Sequence, residues 1–199
     1  KYVKLNAGTE IPSIFALWCG IAGISAMLGR RVWIDMGTYT IYPNLFIILV
    51  ASSGRCRKST AIILIESLIY ATETPPNLMA QKITPEGLID ALSDTKAIDS
   101  KHLLATSTST SCEGFAIADE LSNLLNQKTY EGLAPLLISL YDCKDHFSYR
   151  TKGRGLEKIS NACLGMLAGS TIDWIRKAVP GDSVGGGLTS RIVFVYVEK

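Results

Sequence analysis

The sequence predicts an α/β fold, a mainly parallel sheet flanked by helices, and three observations predict it. "LFIILVA", residues 45–51, is an apolar run without polar alternation, the pattern of a strand covered on both faces. "STAIILIESLIYA" follows shortly with apolar positions 62, 65 and 69 at helical spacing, so that strand gives way to helix. "FAIA", 115–118, and "ACLGMLAGST", 162–171, are further apolar strands that end in carboxylates or hydroxyls. A chain of 199 residues, 47% of them hydrophobic, supports one compact core rather than two domains and a linker, whether it is complete or cut from a longer protein.

Residues 11–29, "IPSIFALWCGIAGISAMLG", are uncharged and close to the length of a membrane helix or signal peptide. Ile14, Leu17, Trp18, Ile21, Ile24 and Leu28 form one helical stripe, with Ala16, Cys19, Gly20, Gly23 and Ala26 on the other side. Large on one side and small on the other suits a buried helix between two elements, so no membrane partner is expected. "RRVWIDMGTYTIYP" reads as two short strands around a turn at Asp35–Thr38, broken by Pro43-Asn44. Helix and hairpin make a lead-in, 1–44, packed on a core of 45–199. Within that core, Thr84-Pro85-Glu86 has the hydroxyl cap, first-turn proline and acid of a helix start leading into "GLIDALSD". "ATSTSTSCEG", 105–114, reads as a loop or weak strand, and "LAPLLISLYD", 133–142, as a helix. "HFSYRTKGRGLEKI", 146–159, alternates aromatic or apolar with basic residues around Gly153 and Gly155, as a cationic hairpin does. "GGGLTSRIVFVYV" is a glycine-rich turn into a last strand, with Arg191 at its start.

The chemistry concentrates after the first core strand. "SSGRCRKST", 52–60, has the Lys58-Ser59 ending of a phosphate-binding loop, but the pattern's two glycines fall on Ser52 and Arg57. Strand, tight loop and helix are nevertheless the context such a loop needs, because a helix's first turn offers backbone N–H groups and a positive dipole end to phosphate oxygens. Gly54 permits positive φ, Ser52 and Ser53 allow close phosphate approach, and Arg57 must adopt its conformation without glycine's freedom. The predicted nucleotide loop thus comprises Ser52, Ser53, Gly54, Arg55, Cys56, Arg57, Lys58, Ser59 and Thr60. ATP hydrolysis requires phosphate neutralisation, a hydroxyl and an acid for Mg²⁺, and a group that orients water. Lys58 supplies the first, Ser59 and Asp119 the metal ligands, and Glu120 the base. The cofactors expected are therefore ATP and Mg²⁺.

A net charge of +2 excludes a globally basic nucleic-acid surface and leaves local clusters. Arg150, Lys152, Arg154 and Lys158, interleaved with Phe147 and Tyr149, are the candidate DNA contact; the same pattern also describes a solvated charged hairpin. Five dispersed cysteines and two distant histidines argue against a disulfide framework and against zinc, and fit a reducing, cytoplasmic setting.

"YPNLFIILVASSGRCRKST", "ADELSNLL", "LYDCKDHFSYRTKGRG", "LAGST" and "GGGLTSR" together resemble the P-loop ATPase (helicase-like) domain of phage and plasmid primase-helicases and related mobile-element replication proteins. The resemblance spans nearly the whole chain, and members often carry arginine before the P-loop lysine, as Arg57 does. It implies a P-loop NTPase sheet of the RecA/AAA+-like kind and a homo-oligomer, a hexameric ring, acting as an ATP-hydrolysing motor on single-stranded DNA in replication. It further implies that Arg191 completes a neighbour's site in trans and that Ser170 or Thr171 acts as a γ-phosphate sensor. No primase signature lies in these residues. The alternative is an ATP-dependent oligomeric switch or assembly scaffold without unwinding activity; a P-loop kinase of a small molecule is a third reading.

Overall fold

A computed structural model describes residues 2–6, 8–93, 112–125, 127–151, 155–178 and 187–198. Its centre is a five-stranded sheet in which every neighbouring pair is parallel. The chain enters through a short helix α1 (Tyr2–Leu5) and a long helix α2 (Ser13–Leu28), then an isolated hairpin of β1 (Ile34–Asp35) and β2 (Thr40–Ile41). The core follows as β3 (Phe46–Val50), α3 (Lys58–Tyr70), β4 (Leu78–Met79), α4 (Pro85–Ser93), β5 (Glu113–Ala118), α5 (Leu121–Leu124) and α6 (Gln127–Tyr141). A second hairpin of β6 (His146–Thr151) and β7 (Gly155–Ser160) leads to β8 (Cys163–Ser170), α7 (Ile172–Ala178) and the edge strand β9 (Ile192–Tyr196). Spatial order across the sheet is β4-β5-β8-β3-β9.

The unbroken apolar run of β3 has a direct cause in this order. Phe46, Ile48 and Val50 point into a cluster with α4, α5 and α6, while Ile47 and Leu49 point into a second cluster with α2 and α3. Both faces are therefore dry and no polar position is tolerated. Half-buried Arg30 fastens the lead-in to this body: its guanidinium donates to the carbonyls of Cys143 (2.7 Å) and Ala162 (3.1 Å), to Tyr42 Oη (2.8 Å) and to Asp145 (2.5 Å). Asn44 adds a bond from Nδ2 to the Tyr141 carbonyl at 2.8 Å.

Most predicted elements are present, including the helix start at Thr84, whose hydroxyl accepts from the Gly87 amide at 3.1 Å. Four are additions: α1, the two-residue strand β4, the one-turn helix α5, and α7, which is capped by the Thr171 hydroxyl accepting from the Trp174 amide at 3.2 Å. The predicted loop or weak strand at 105–114 lies largely outside the described residues. The reading of α2 as a helix buried between two elements requires correction. Its small side is buried, at Ala16, Cys19, Ala22, Gly23 and Ala26, whereas Ile14, Leu17 and Ile24 of the large stripe are exposed. Small side chains let α2 approach the sheet and α3 closely; a Cβ on Gly23 would lie 2.7 Å from Ile65 Cδ1. With Gly29–Arg31, α2 is long and apolar enough to cross a membrane, yet here its small face is docked on the sheet.

Candidate functional site

Parallel register brings the C-terminal ends of β3, β8 and β5 to one edge. Val50 pairs with Ser170 and Ala118 with Ala168, so the 51–57 loop and the Asp119-Glu120 pair flank the end of β8. Two strand spacings separate them, about 10 Å. Successive strands in the chain lie apart here, the chain running from β3 out to β4 and from β8 across to β9, and ligands of open α/β sheets bind in such crevices.

The loop turns through Gly54 at φ +67° and then through two non-glycine residues in the left-handed region, Cys56 at φ +63° and Arg57 at φ +46°. Each such residue costs on the order of 1–3 kcal/mol, a strain that surrounding structure must hold in place. Burial of Cys56 holds one of them, while the Arg57 guanidinium, exposed, pairs with Glu10 of the lead-in. Arg57 thus directs its side chain to the lead-in rather than into the loop. The first bond of α3 runs from the Ala61 amide to the Arg57 carbonyl at 3.0 Å, so the amides just before Ala61 stand at the positive end of the helix.

Lys58 is buried, and its Nζ donates to the carbonyls of Ala51 (2.9 Å) and Ser52 (3.1 Å). Burial pushes its pKa down, and the opposite charge of Glu120 counteracts this. Glu120 shows the mirror effect: burial raises its pKa, Lys58 counteracts this, and Asp119 adds to it. Lys58 and Glu120, 62 positions apart in sequence, therefore lie close enough to bias each other's ionisation. Ser59 and Thr60 are exposed in the first turn of α3, and Asp119 accepts from Asn123 Nδ2 at 3.3 Å. The fold thus gathers Ser52 through Thr60, Asp119 and Glu120 at one sheet edge.

Ser170 is fully buried at the same edge; its carbonyl accepts from the Ala51 amide at 3.3 Å, tying β8 to the start of the loop. Thr171 has its hydroxyl committed to the α7 cap. Arg191 lies at the opposite edge, preceding Ile192, which pairs with Phe46 at the beginning of β3. A five-residue strand puts it about 16 Å below the loop, so it does not join the site of its own chain. There Nε and Nη2 donate to Asp142 at 3.2 and 2.9 Å, Nη1 donates to the Gly187 carbonyl at 2.8 Å, and the guanidinium lies over the Tyr141 ring. Of the basic hairpin, Lys152 and Arg154 lie outside the described residues. Arg150 and Lys158 are exposed and share one face of the β6–β7 ribbon, while Phe147 and Tyr149 pack against the core from the other. The aromatics are therefore not interleaved with the bases at the surface, because strand alternation sends them to opposite sides.

Two residues beyond those read from the sequence belong to this region. Glu66, the single acid of α3, has its pKa raised by burial and by the nearby Asp119. A lone carboxylate in an apolar helix was the available signal. Gly169 lets Asp119 close over β8, since a Cβ there would meet the Asp119 carbonyl oxygen at 2.5 Å; nothing local in the sequence marks it. No protein-family model matches the chain, and no curated protein matches it.

Proposed function

We propose that the chain is a P-loop ATPase that acts as a motor on single-stranded DNA. The observation that carries the reading is the register that sets buried Lys58, at the head of α3, and Glu120, just after β5, on either side of the C-terminal end of β8. Both sit in the crevice where such sheets take their ligands. Triphosphate would lie along the 52–57 loop against the first-turn amides of α3, and Lys58 would exchange its two loop carbonyls for phosphate oxygens. Ser59 and Asp119 offer hard oxygen donors of the kind Mg²⁺ prefers, and when bound the ion neutralises charge on the β and γ phosphates. Glu120 takes the proton of the attacking water, a role suited to a carboxylate whose pKa is raised. The DNA part of the reading rests on the exposed Arg150 and Lys158 and on the family resemblance; Arg191 serves only across a subunit boundary.

The test is steady-state ATP hydrolysis with and without single-stranded DNA at low and high salt, with Lys58→Ala as the blank. Hydrolysis that rises with DNA, loses that rise in salt, and falls to background in Lys58→Ala is the expected result. Turnover indifferent to DNA favours the switch or scaffold, and turnover retained in Lys58→Ala removes the loop from the site.

A further inference from the structure

Exposed large apolar side chains are not scattered over this molecule. Of the fifteen among the described residues, thirteen lie on α2, on α3 or on the segment 32–41 that carries the first hairpin. Eight of the thirteen, six on 32–41 with Ile24 and Leu68, fall on two features of opposite shape. One is convex: every residue from Arg31 to Ile41 is exposed, and Val32, Trp33, Ile34, Met36, Tyr39 and Ile41 present apolar surface around the β1–β2 ribbon. A two-stranded ribbon is marginal in water unless it packs on something. The other is concave: a groove of about 370 Å³ between α2 and α3, lined by Gly20, Gly23, Ile24, Met27, Leu28 and Leu68 among others, with no charged residue in its wall.

We propose that the hairpin of one copy of this chain docks into the α2–α3 groove of a second copy. Area supports a protein occupant. Aromatic side chains bury about 150–250 Å² each and aliphatic ones less, so the exposed parts of the six arm residues with Ile24 and Leu68 approach roughly 1,000 Å², the scale at which a specific interface begins. Chemistry favours this chain as that protein, because it carries both an apolar protrusion and an apolar, uncharged recess to receive it. A lipid surface fits less well: helices that lie on membranes line their polar side with Lys or Arg, whereas α2 has no charged residue. The contact is heterologous, arm to groove, so it repeats head to tail from copy to copy. It uses no residue of the nucleotide site and stands or falls independently of that reading.

Sedimentation and light scattering of the intact chain test it, using Trp33→Asp in the arm and Leu68→Asp in the groove. Wild type should assemble in a concentration-dependent way, each variant alone should be monomeric, and an equimolar mixture should give a heterodimer. That last result follows because the Leu68→Asp copy keeps a working arm and the Trp33→Asp copy a working groove. Circular dichroism melts check folding, with Met36→Asp and Ile24→Asp as replacements at positions that are also exposed. Several outcomes would overturn the inference: a monomeric wild type, unchanged assembly in either variant, no complex on mixing, or flotation of wild type with anionic vesicles in place of self-association. Groove-to-groove pairing would show as loss of assembly in Leu68→Asp alone, which also overturns it.

Discussion

Lys58 and Glu120 illustrate what a folded environment adds to two ordinary side chains. Free lysine and glutamate titrate about six pH units apart. Here burial lowers the one and raises the other, so the window in which both are ionised narrows from each side. If Glu120 is the base and Lys58 the phosphate cation, kcat/KM should be bell-shaped in pH. Its acid limb should lie above the usual glutamate value, since the base must lose its proton, and its alkaline limb below the usual lysine value, since the cation must keep its own. Glu120→Gln should bind ATP, turn it over about 10²- to 10⁴-fold more slowly, and lose the acid limb; pH–rate profiles of the two proteins check this. Loss of ATP binding in the variant would make the glutamate structural. Lys58 and Glu120 were legible as candidates from their place after apolar strands, whereas the opposed shifts depend on the burial of Lys58 and the half-burial of Glu120 on either side of the β8 end.

The loop between β3 and α3 departs from a glycine-rich phosphate loop in composition, yet it adopts the backbone that glycines would serve. Cys56 and Arg57 both take left-handed conformations, and the Arg57 guanidinium faces Glu10. If the strain is a backbone property, Arg57→Gly should be more stable than Arg57→Ala by about 1 kcal/mol in urea unfolding, because only glycine occupies that region without a Cβ penalty. The glycine variant should also retain nucleotide affinity, since the arginine side chain points away from the loop; equal stability of the two variants would locate the strain elsewhere. On the same scale, α2 shows where periodicity misleads. Its stripe of large residues was identifiable, but a hydrophobic stripe does not state which side meets the sheet. Close packing selected the side of Ala, Gly and Cys, where backbones approach most nearly.

Across the whole molecule the two edges of the sheet carry different equipment. The C-terminal edge holds Lys58, Asp119 and Glu120; the N-terminal edge holds Arg191, clamped by Asp142 and Gly187 over Tyr141. In a single chain they cannot meet, so the proposed role of Arg191 requires a neighbour. Mixing Arg191→Ala subunits with Glu120→Gln subunits should therefore recover part of the turnover that each has lost, because some interfaces then pair an intact arginine with an intact glutamate. ATPase rate against mixing ratio measures this, and a flat response would confine Arg191 to its structural clamp.

By itself the sequence determined the fold class and the order of most elements, since apolar runs, helical periods and caps are local signals that survive without knowledge of partners. It also marked the residues of the candidate loop and the acidic pair. Only the tertiary structure decided the strand order that lays β8 between them, the closeness of Lys58 to Glu120, the approach of Gly169 to Asp119, and which side of α2 faces solvent. Each of these depends on contacts between segments far apart in the chain, where packing and burial, rather than any local pattern, select one arrangement.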